Sequence, residues 1–310
     1  MFAYEHIQKA YKSAEVLPID KNSKLVMISD CHRGIGSGAD DFSKNQNLYH
    51  AAIKHYIREG FTYIELGDGD ELWENRHFCM IAEEYKQIFA LLSLLHKSGR
   101  LYMIYGNHDM DKKNSAWVAR YLEGNLEAGR TVCAEPHEMS DVAISASNGP
   151  LFPGIKIHEG LVLRHSPSGC NILLIHGHQA DFFNFRLWRL ARFMVRYLWR
   201  PLELIGVHNP FDTPSRPGRR DMVEKYLLDW CRREDTMLIA GHTHRASFPK
   251  DGEPPYYNTG SCVHRRHITC LEIENDFISL VKWSIQPRQD NVLYIKRDII
   301  KSGLTISCKL

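Results

Sequence analysis

Small groups of aspartate, asparagine and histidine recur along this chain, and each group directly follows a short apolar run. The runs have the length and the β-branched or aromatic content of buried strands. In open α/β sheets, side chains beyond the carboxyl ends of the strands meet at one edge of the sheet. We therefore expect groups that are far apart in sequence to converge. The five groups are Asp30-Cys31-His32, Gly67-Asp68-Gly69-Asp70-Glu71, Gly106-Asn107-His108-Asp109, His176-Gly177-His178 and Gly241-His242-Thr243-His244.

These side chains favour a metal site over a collection of unrelated polar turns. In a strand, Asp30 and His32 would point to the same face, and the imidazoles of His242 and His244 would be costly to bury without a partner. A single pair of this kind is common by chance, whereas an ordered set of five is a specific signal. Carboxylate, imidazole and amide ligands without a thiolate suit Mn²⁺, Fe or Zn²⁺ better than Ca²⁺.

The composition excludes a disordered or a membrane-spanning chain. The 310 residues are 44% hydrophobic and 25% charged, with a formal net charge of +2, as in soluble globular proteins. No apolar run reaches about eighteen residues, and residues 1–20 lack the apolar core of a secretory signal. We therefore expect a cytoplasmic protein. The eight cysteines form no CxxC pair, so we expect most of them to be buried and reduced.

The order of apolar runs and helical patterns predicts one α/β domain over residues 1–285. Residues 180–235 interrupt this order with two helical patterns, and we interpret them as a helical insertion or lid between two core strands. Residues 286–310 would form a C-terminal extension, whose apolar stretches are either edge strands or a partner contact.

The five groups resemble the motifs of the calcineurin-like metallophosphoesterases over residues 24–285, apart from the insertion. The resemblance implies two facing mixed β-sheets flanked by helices, a four-layer αββα sandwich. It also implies two divalent metal ions, Mn²⁺ first and Fe or Zn²⁺ as alternatives, with Asp68 bridging them. The implied metal ligands are Asp30, His32, Asp68, Asn107, His176, His242 and His244.

The resemblance also implies roles for residues around the metals. His108 would act as the acid that protonates or stabilises the leaving oxygen, and Glu71 would orient it. Asp70 and Asp109 compete with Glu71 for this role. The alternative for each is a solvated turn carboxylate, which is the interpretation favoured for Asp70.

Within the family, the chain is most similar to UDP-2,3-diacylglucosamine hydrolases and their relatives, which cleave a pyrophosphate in a lipid-linked nucleotide sugar. The similarity lies in the GDGDELW sequence around Asp68, in the long insertion and in GHTHR at 241–245. That subfamily usually has arginine at the position of His108 and aspartate at that of His178. His178 is an accessory metal ligand, a substrate contact or a satisfied polar side chain, and a role beside the ligands is favoured over direct metal binding. Cys31 is expected to be a buried structural thiol.

A basic stripe runs through the insertion, because arginines recur there at spacings of three and four. Between residues 186 and 220 there are eight arginines, no lysine and two acidic residues. Three interpretations remain: a helix on a membrane surface, a lid in which Arg189 and Arg192 grip phosphates, and a helix packed on the core with a solvated basic face. The membrane interpretation ranks below the other two. Arg245 is a further candidate for a substrate phosphate.

These observations predict a dinuclear metal-dependent phosphoesterase that hydrolyses a phosphodiester or pyrophosphate bond by metal-activated hydroxide. The substrate would be a phosphorylated small molecule, a nucleotide or a lipid-linked compound, with peripheral membrane contact through the lid. A Ser/Thr-type protein phosphatase or another phosphomonoesterase is the alternative. Nucleic acid is disfavoured, because no basic stripe with interleaved aromatics lies outside the insertion. A non-catalytic scaffold ranks last, because the implied ligand set is complete.

Overall fold

Two β-sheets face each other at the centre of the computed structural model, which describes residues 2–124, 150–199, 217–290 and 292–306. The first sheet contains, in order, β1 (Glu15–Ile19), β6 (Gly160–His165), β7 (Asn171–Ile175), β8 (Met237–Ala240) and β9 (Tyr256–Asn258). The second contains β12 (Leu293–Thr305), β11 (Phe277–Pro287), β10 (His267–Glu274), β2 (Leu25–Ile28), β3 (Thr62–Leu66), β4 (Leu101–Ile104) and β5 (Ile157–His158). Strands β2 to β5 are parallel to one another.

Helices cover the outer faces of both sheets. The described helices are α1 (Phe2–Ser13), α2 (Gln46–Arg58), α3 (Phe78–Glu84), α4 (Lys86–Lys97), α5 (Ser115–Tyr121), α6 (Phe182–Arg186), α7 (Trp188–Met194) and α8 (Pro217–Glu234). Short 3-10 turns lie at Asp41–Asn45, Met110–Lys113 and His178–Ala180, and a π-helical turn at Val195–Trp199 follows α7. Tyr85 separates α3 from α4, so residues 78–97 do not form one continuous helix.

The parallel strands are apolar on both faces because they lie between two layers. In β2, Met27 packs in the core between the two sheets, whereas Val26 and Ile28 pack against the helices. In β6, Leu161 belongs to the core between the sheets and Val162 packs against α1 and α8. Three apolar cores therefore separate four layers, which confirms the predicted αββα sandwich of two mixed sheets.

The segment interpreted as an insertion contains two different kinds of helix. Helix α8 buries Val223, Leu227 and Trp230 in the core with α1 and the first sheet. Helices α6 and α7 have exposed apolar side chains instead. These exposed side chains are Phe182, Phe183, Leu187, Leu190 and Phe193. A lid would therefore involve α6 and α7, and the boundaries at 180 and 235 stay predictions.

The C-terminal segment is continuous with the second sheet. Strand β12 pairs antiparallel with β11 from Phe277 to Pro287, so residues 293–305 form an edge strand of the second sheet. Among the described helices, none is long and apolar enough to cross a membrane.

Four cysteines agree with the expectation of free, buried thiols. They are Cys31, Cys231, Cys262 and Cys270. Cys79 and Cys170 each take part in a disulfide bond, so the expectation of reduced thiols is wrong for these two.

Candidate metal centre

The five sequence groups follow β2, β3, β4, β7 and β8, and their loops hold one another by backbone hydrogen bonds. The amide of Asp30 donates to the carbonyl of Gly67 at 3.1 Å, and the amide of His32 donates to that of Asp68 at 2.9 Å. The amide of Gly241 donates to the carbonyl of His176 at 2.9 Å. The amide of His242 also donates to Oδ2 of Asp30 at 2.9 Å, so loops from the two sheets meet and the sequence groups converge.

The backbone of these loops adopts an unfavourable conformation at many of the predicted ligands. Asp30 and His32 lie beyond the end of β2 at Ile28, with φ of 53° and 48°, so the expectation that they lie on one face of a strand is wrong. Positive φ also occurs at Asp68, His242 and His244. Each such residue costs on the order of 1–3 kcal/mol, and residues of this kind cluster at functional sites.

Two glycines allow the loops to approach closely. A Cβ atom on Gly106 would lie 2.1 Å from Oδ1 of Asp68, and one on Gly241 would lie 2.6 Å from Oδ2 of Asp30. Any larger residue at either position would therefore displace a carboxylate of the site.

The first cluster contains Asp30, His32 and His244. Nε2 of His244 lies 3.0 Å from Oδ1 of Asp30 and 3.2 Å from Nε2 of His32. Nδ1 of His32 lies 2.8 Å from Oε2 of Glu71. Because Glu71 accepts the proton on Nδ1, the lone pair of Nε2 faces the other members of the cluster.

The second cluster adjoins the first and contains Asp68, Asn107, His176 and His242. Nδ1 of His176 bonds the carbonyl of Leu66 at 2.8 Å, which turns Nε2 toward Oδ2 of Asp68 at 3.1 Å and Oδ1 of Asn107 at 3.2 Å. His242 has a ligand atom within 4.8 Å of those of Asp68 and His176. The seven predicted ligands are thus brought together in two adjoining clusters, which could hold metal ions.

The charges of these groups depend on one another. Burial alone would raise the pKa of Asp30, but the neighbouring His244 lowers it to about 2. Burial alone would lower the pKa of His176, but Asp68 raises it to about 9. Ring nitrogens of His32 and His244 at 3.2 Å can share only one proton. In the absence of a metal, the histidines and carboxylates of the two clusters balance one another by sharing protons. A divalent cation would bind to the same lone pairs, so this set of donor atoms fits a metal.

His108 lies at the edge of the two clusters and is held from two sides. Its Nδ1 bonds Oε1 of Glu71 at 2.9 Å, and its ring stacks on Trp73 with centroids 4.1 Å apart. Glu71 therefore orients His32 as well as His108, a double contact that the sequence did not indicate. Burial alone would lower the pKa of His108, but the charges of Glu71 and Asp68 raise it, and the net effect is an increase.

Asp70 is not the solvated turn carboxylate that we expected. It is almost fully buried, and it pairs with Nε of Arg33 at 2.8 Å and Nζ of Lys112 at 2.7 Å. Asp109 is also buried, and its carboxylate accepts from the amide of Gly106 at 2.6 Å. Neither residue bonds His108 in the described structure, where Glu71 makes that contact.

Glu65 completes a buried charge network, which we define as Arg33, Glu65, Asp70, Asp109 and Lys112. The guanidinium of Arg33 donates to both carboxylate oxygens of Glu65, at 2.9 and 3.2 Å. Nζ of Lys112 lies 2.8 Å from Oδ2 of Asp109. The three carboxylates lie close enough to bind an ion, but the protein's own two cations occupy their oxygens.

His178 is fully buried beside the second cluster. Its ring centroid lies 5.4 Å from that of His176, and it stacks on Phe185 at 5.8 Å. Neither ring nitrogen has a hydrogen-bond partner in the described structure. Burial and the neighbouring His176 hold the pKa of His178 well below its ordinary value, so the ring is neutral.

The three arginines predicted to contact substrate have partners within the protein. Arg192 pairs with Asp111 at 2.7 Å. Arg189 lies over the ring of Trp188 at 5.4 Å. Arg245 pairs with Asp221 at 3.3 Å and with Glu224, both from α8. Their predicted role stays a prediction, and binding a phosphate would require these contacts to be shared or exchanged.

Sequence reasoning missed Asp181, a buried residue that contacts His242. Oδ2 of Asp181 lies 3.3 Å from Nε2 of His242, and Oδ1 bonds Arg219 of α8. Its position before a helical pattern was a signal for an N-cap, and the side chain does accept from the amide of Phe183. Nothing in that signal indicated the histidine.

Comparison with known proteins identifies one matching family model. The model of the calcineurin-like phosphoesterases matches residues 23–246, a range that includes all five groups. A search of curated proteins finds no significant match. The structure of Vps29 from Chaetomium thermophilum is similar with a TM-score of 0.40 and 9% identity, over 92% of this chain and 99% of that one. The structure of the sulfate thiohydrolase SoxB from Thermus thermophilus is similar with a TM-score of 0.33 and 11% identity. The match covers 91% of this chain and 57% of that one.

Proposed function

The chain belongs to the calcineurin-like phosphoesterase family, and we propose that it is a metal-dependent hydrolase of phosphodiester or pyrophosphate bonds. One observation carries this proposal. Carboxylate, amide and imidazole groups from five loops face one another in the two clusters. Among the described residues, Asp30 and Asp68 form ion pairs with histidines only. A bound divalent cation would balance these groups.

We propose that two metal ions share the site, with Mn²⁺ first and Fe or Zn²⁺ compatible with the same donors. When bound, the ions would neutralise charge on the phosphoryl oxygens and lower the pKa of a bound water. Asp68 would contact both ions. The first ion would be held by Asp30, His32, Asp68 and His244, and the second by Asp68, Asn107, His176 and His242.

His108 would act as the general acid. Glu71 accepts its Nδ1 proton, so Nε2 is the nitrogen that would donate to the leaving oxygen. The stacked ring of Trp73 limits the orientations of this imidazole. Arg196 in turn donates to the carbonyls of Leu72 and Trp73, at 2.5 and 2.8 Å. The segment after α7 would thereby support the position of the acid.

We further propose an amphipathic substrate, such as a lipid-linked phosphate. The support is the row of exposed apolar side chains on α6 and α7, which begins directly after the His178 turn. Leu190, Phe193 and Tyr197 are each more than half exposed, at 58%, 57% and 61%. An acyl chain on this surface would remove apolar area from water and add binding energy. The same surface would serve peripheral membrane contact.

The bond type is tested with the Mn²⁺-loaded protein on bis(p-nitrophenyl) phosphate and p-nitrophenyl phosphate. The proposal predicts that the diester is preferred and that Asp68→Ala and His108→Ala abolish its hydrolysis. The control is Asp229→Asn, which changes an exposed ion pair with Arg232 on α8 and should retain activity. Preference for the monoester would contradict the proposed bond type and favour a phosphatase.

The amphipathic substrate is tested with alkyl p-nitrophenyl phosphodiesters of increasing chain length. The proposal predicts that kcat/KM rises with chain length in the natural protein and that this rise disappears in Leu190→Ser/Phe193→Ser. The matched control is Leu293→Ser/Ile299→Ser on β12, where the side chains are as exposed, at 68% and 54%. An unchanged dependence on chain length in the first variant would contradict the proposed substrate class.

A further inference from the structure

We propose that Asp181 is a positioning residue for His242, and that Arg219 holds Asp181 in place from helix α8. Both residues lie outside the five sequence groups and outside the seven proposed metal ligands. The inference rests on the proposed function, because it concerns His242 as a ligand of the second metal.

The carboxylate of Asp181 determines which ring nitrogen of His242 carries the proton. A neutral imidazole has one nitrogen that donates and one that accepts. Asp181 lies against Nε2 of His242 at 3.3 Å, and a carboxylate can only accept there. The proton therefore belongs on Nε2, which leaves the lone pair of Nδ1 for a metal.

The same arrangement recurs at two other histidines of the site. Glu71 accepts from Nδ1 of His32 at 2.8 Å, and the carbonyl of Leu66 accepts from Nδ1 of His176 at 2.8 Å. In each case a fixed acceptor takes one nitrogen and the other nitrogen faces the clusters. Asp181 supplies to His242 what these acceptors supply to the other two rings.

The carboxylate of Asp181 is itself fixed in position. It is 2% exposed, and its Oδ1 accepts from Nε and Nη2 of Arg219 at 3.2 and 2.5 Å. The same oxygen accepts from the amides of Phe183 and Asn184 at the start of α6, at 3.2 and 3.4 Å. Oδ1 is thus held by α6 and α8, and Oδ2 lies toward the histidine.

Helix α8 connects this contact to the core and offers a control. Val223 and Leu227 bury one face of α8 against the first sheet. Glu224 of the same helix pairs with Arg245, which follows His244 in the chain. Glu224 is also buried, at 8% exposed, but within the described structure its carboxylate bonds Arg245 and no ring nitrogen. Loss of Glu224 therefore removes a buried carboxylate that links α8 to the loop after β8 without removing an acceptor from a histidine ring.

The test is the binding of Mn²⁺ to metal-free full-length protein, measured by isothermal titration calorimetry. We expect Asp181→Ala to weaken one of two Mn²⁺ sites by about 10–100-fold. Asp181→Asn, which keeps the side-chain volume and the helix cap, should weaken it less. Arg219→Ala should weaken it as well, and Arg219→Lys should restore part of the loss. Glu224→Gln should bind Mn²⁺ like the natural protein.

A spectroscopic measurement separates positioning from a general loss of stability. The visible spectrum of the Co²⁺-loaded protein reports the ligands of the ion, so it should change in Asp181→Asn and not in Glu224→Gln. Unchanged Mn²⁺ affinity and an unchanged Co²⁺ spectrum in both Asp181 variants would overturn the inference and leave the proposed function intact. Equal losses in Asp181→Asn and Glu224→Gln would also overturn it. A natural protein that binds no Mn²⁺ would contradict the proposed function as well.

Discussion

Two buried groups of carboxylates lie on and after the same strand, β3, and they differ in what balances their charge. The buried charge network around Glu65 and Asp70 contains Arg33 and Lys112. The metal clusters around Asp68 contain histidines instead. Both groups place three possible ligands within 4.8 Å of one another. Closeness of carboxylates is therefore not sufficient to indicate a metal site, and the partner residues decide.

The partners differ because an arginine or lysine keeps its proton and a histidine gives it up. Asp70 and Glu65 raise the pKa of Arg33, and Asp109, Asp70 and Glu65 raise that of Lys112, although burial opposes both increases. These cations remain in the protein at every accessible pH. A histidine can release its proton and offer a lone pair to an incoming metal. The carboxylates of the charge network are thus neutralised by the protein's own cations, whereas the histidine clusters can bind a metal cation from solution.

The largest expected effect comes from removing the carboxylate shared by both clusters. Asp68→Ala should lower kcat/KM by at least about a thousandfold, or about 4 kcal/mol of transition-state stabilisation, and should reduce the Mn²⁺ content measured by plasma mass spectrometry. Its metal-free form should remain folded by circular dichroism. If Asp68→Ala kept its full Mn²⁺ content and activity, the distinction between the metal clusters and the charge network would be contradicted.

The next effect concerns the charge network. Arg33→Met should lower the free energy of unfolding by about 3–5 kcal/mol, because it leaves buried Glu65 and Asp70 without their partner. The loss, measured by urea denaturation, should be the same with and without a chelator. The control is Lys24→Met, which breaks the partly exposed pair with Glu274 and should cost about 1 kcal/mol or less. Equal costs for the two variants would show that the network is not a structural unit.

A smaller effect is expected from metal removal. Mn²⁺ at one hundred times its dissociation constant should stabilise the folded protein by about 2.7 kcal/mol, because it binds the folded state. Chelation should lower the melting temperature of the natural protein and of Arg33→Met equally. A chelator effect that disappears in Arg33→Met would place the ion in the charge network and contradict the comparison.

The smallest effect, at about 1.4 kcal/mol or less per pH unit, is a pH dependence of metal binding. In the metal-free protein the pKa of His176 is raised from its ordinary value of 6.5 to about 9. Burial alone would lower this pKa, but the charge of Asp68 outweighs that effect. The proton on His176 therefore stabilises the metal-free protein below pH 6.5, and this stabilisation is lost as the pH rises through 9. Because Mn²⁺ must displace this proton, its apparent affinity should rise between these pH values, by up to about tenfold per unit. An affinity that falls with pH would contradict this assignment.

The sequence predicts the convergence of the loops but not the partners within them. Groups that follow parallel strands of one sheet meet at one edge of it, whereas the division of the ligands between two metals was implied by the family resemblance. The burial of Asp70 depends on Arg33 and Lys112, which come from other loops, and local turn chemistry gave the wrong expectation. Asp181 has a helix-cap signal that is complete without His242. Contacts between distant loops are set by packing, and no local pattern encodes them.

The central claim is that metal ions occupy the histidine clusters and not the charge network. The most direct measurement is X-ray diffraction from Mn²⁺-soaked crystals at the manganese absorption edge. The account predicts two anomalous peaks adjoining Asp68, one toward His244 and one toward His176, and none between Glu65, Asp70 and Asp109. A peak in the charge network, or none beside Asp68, would contradict the account.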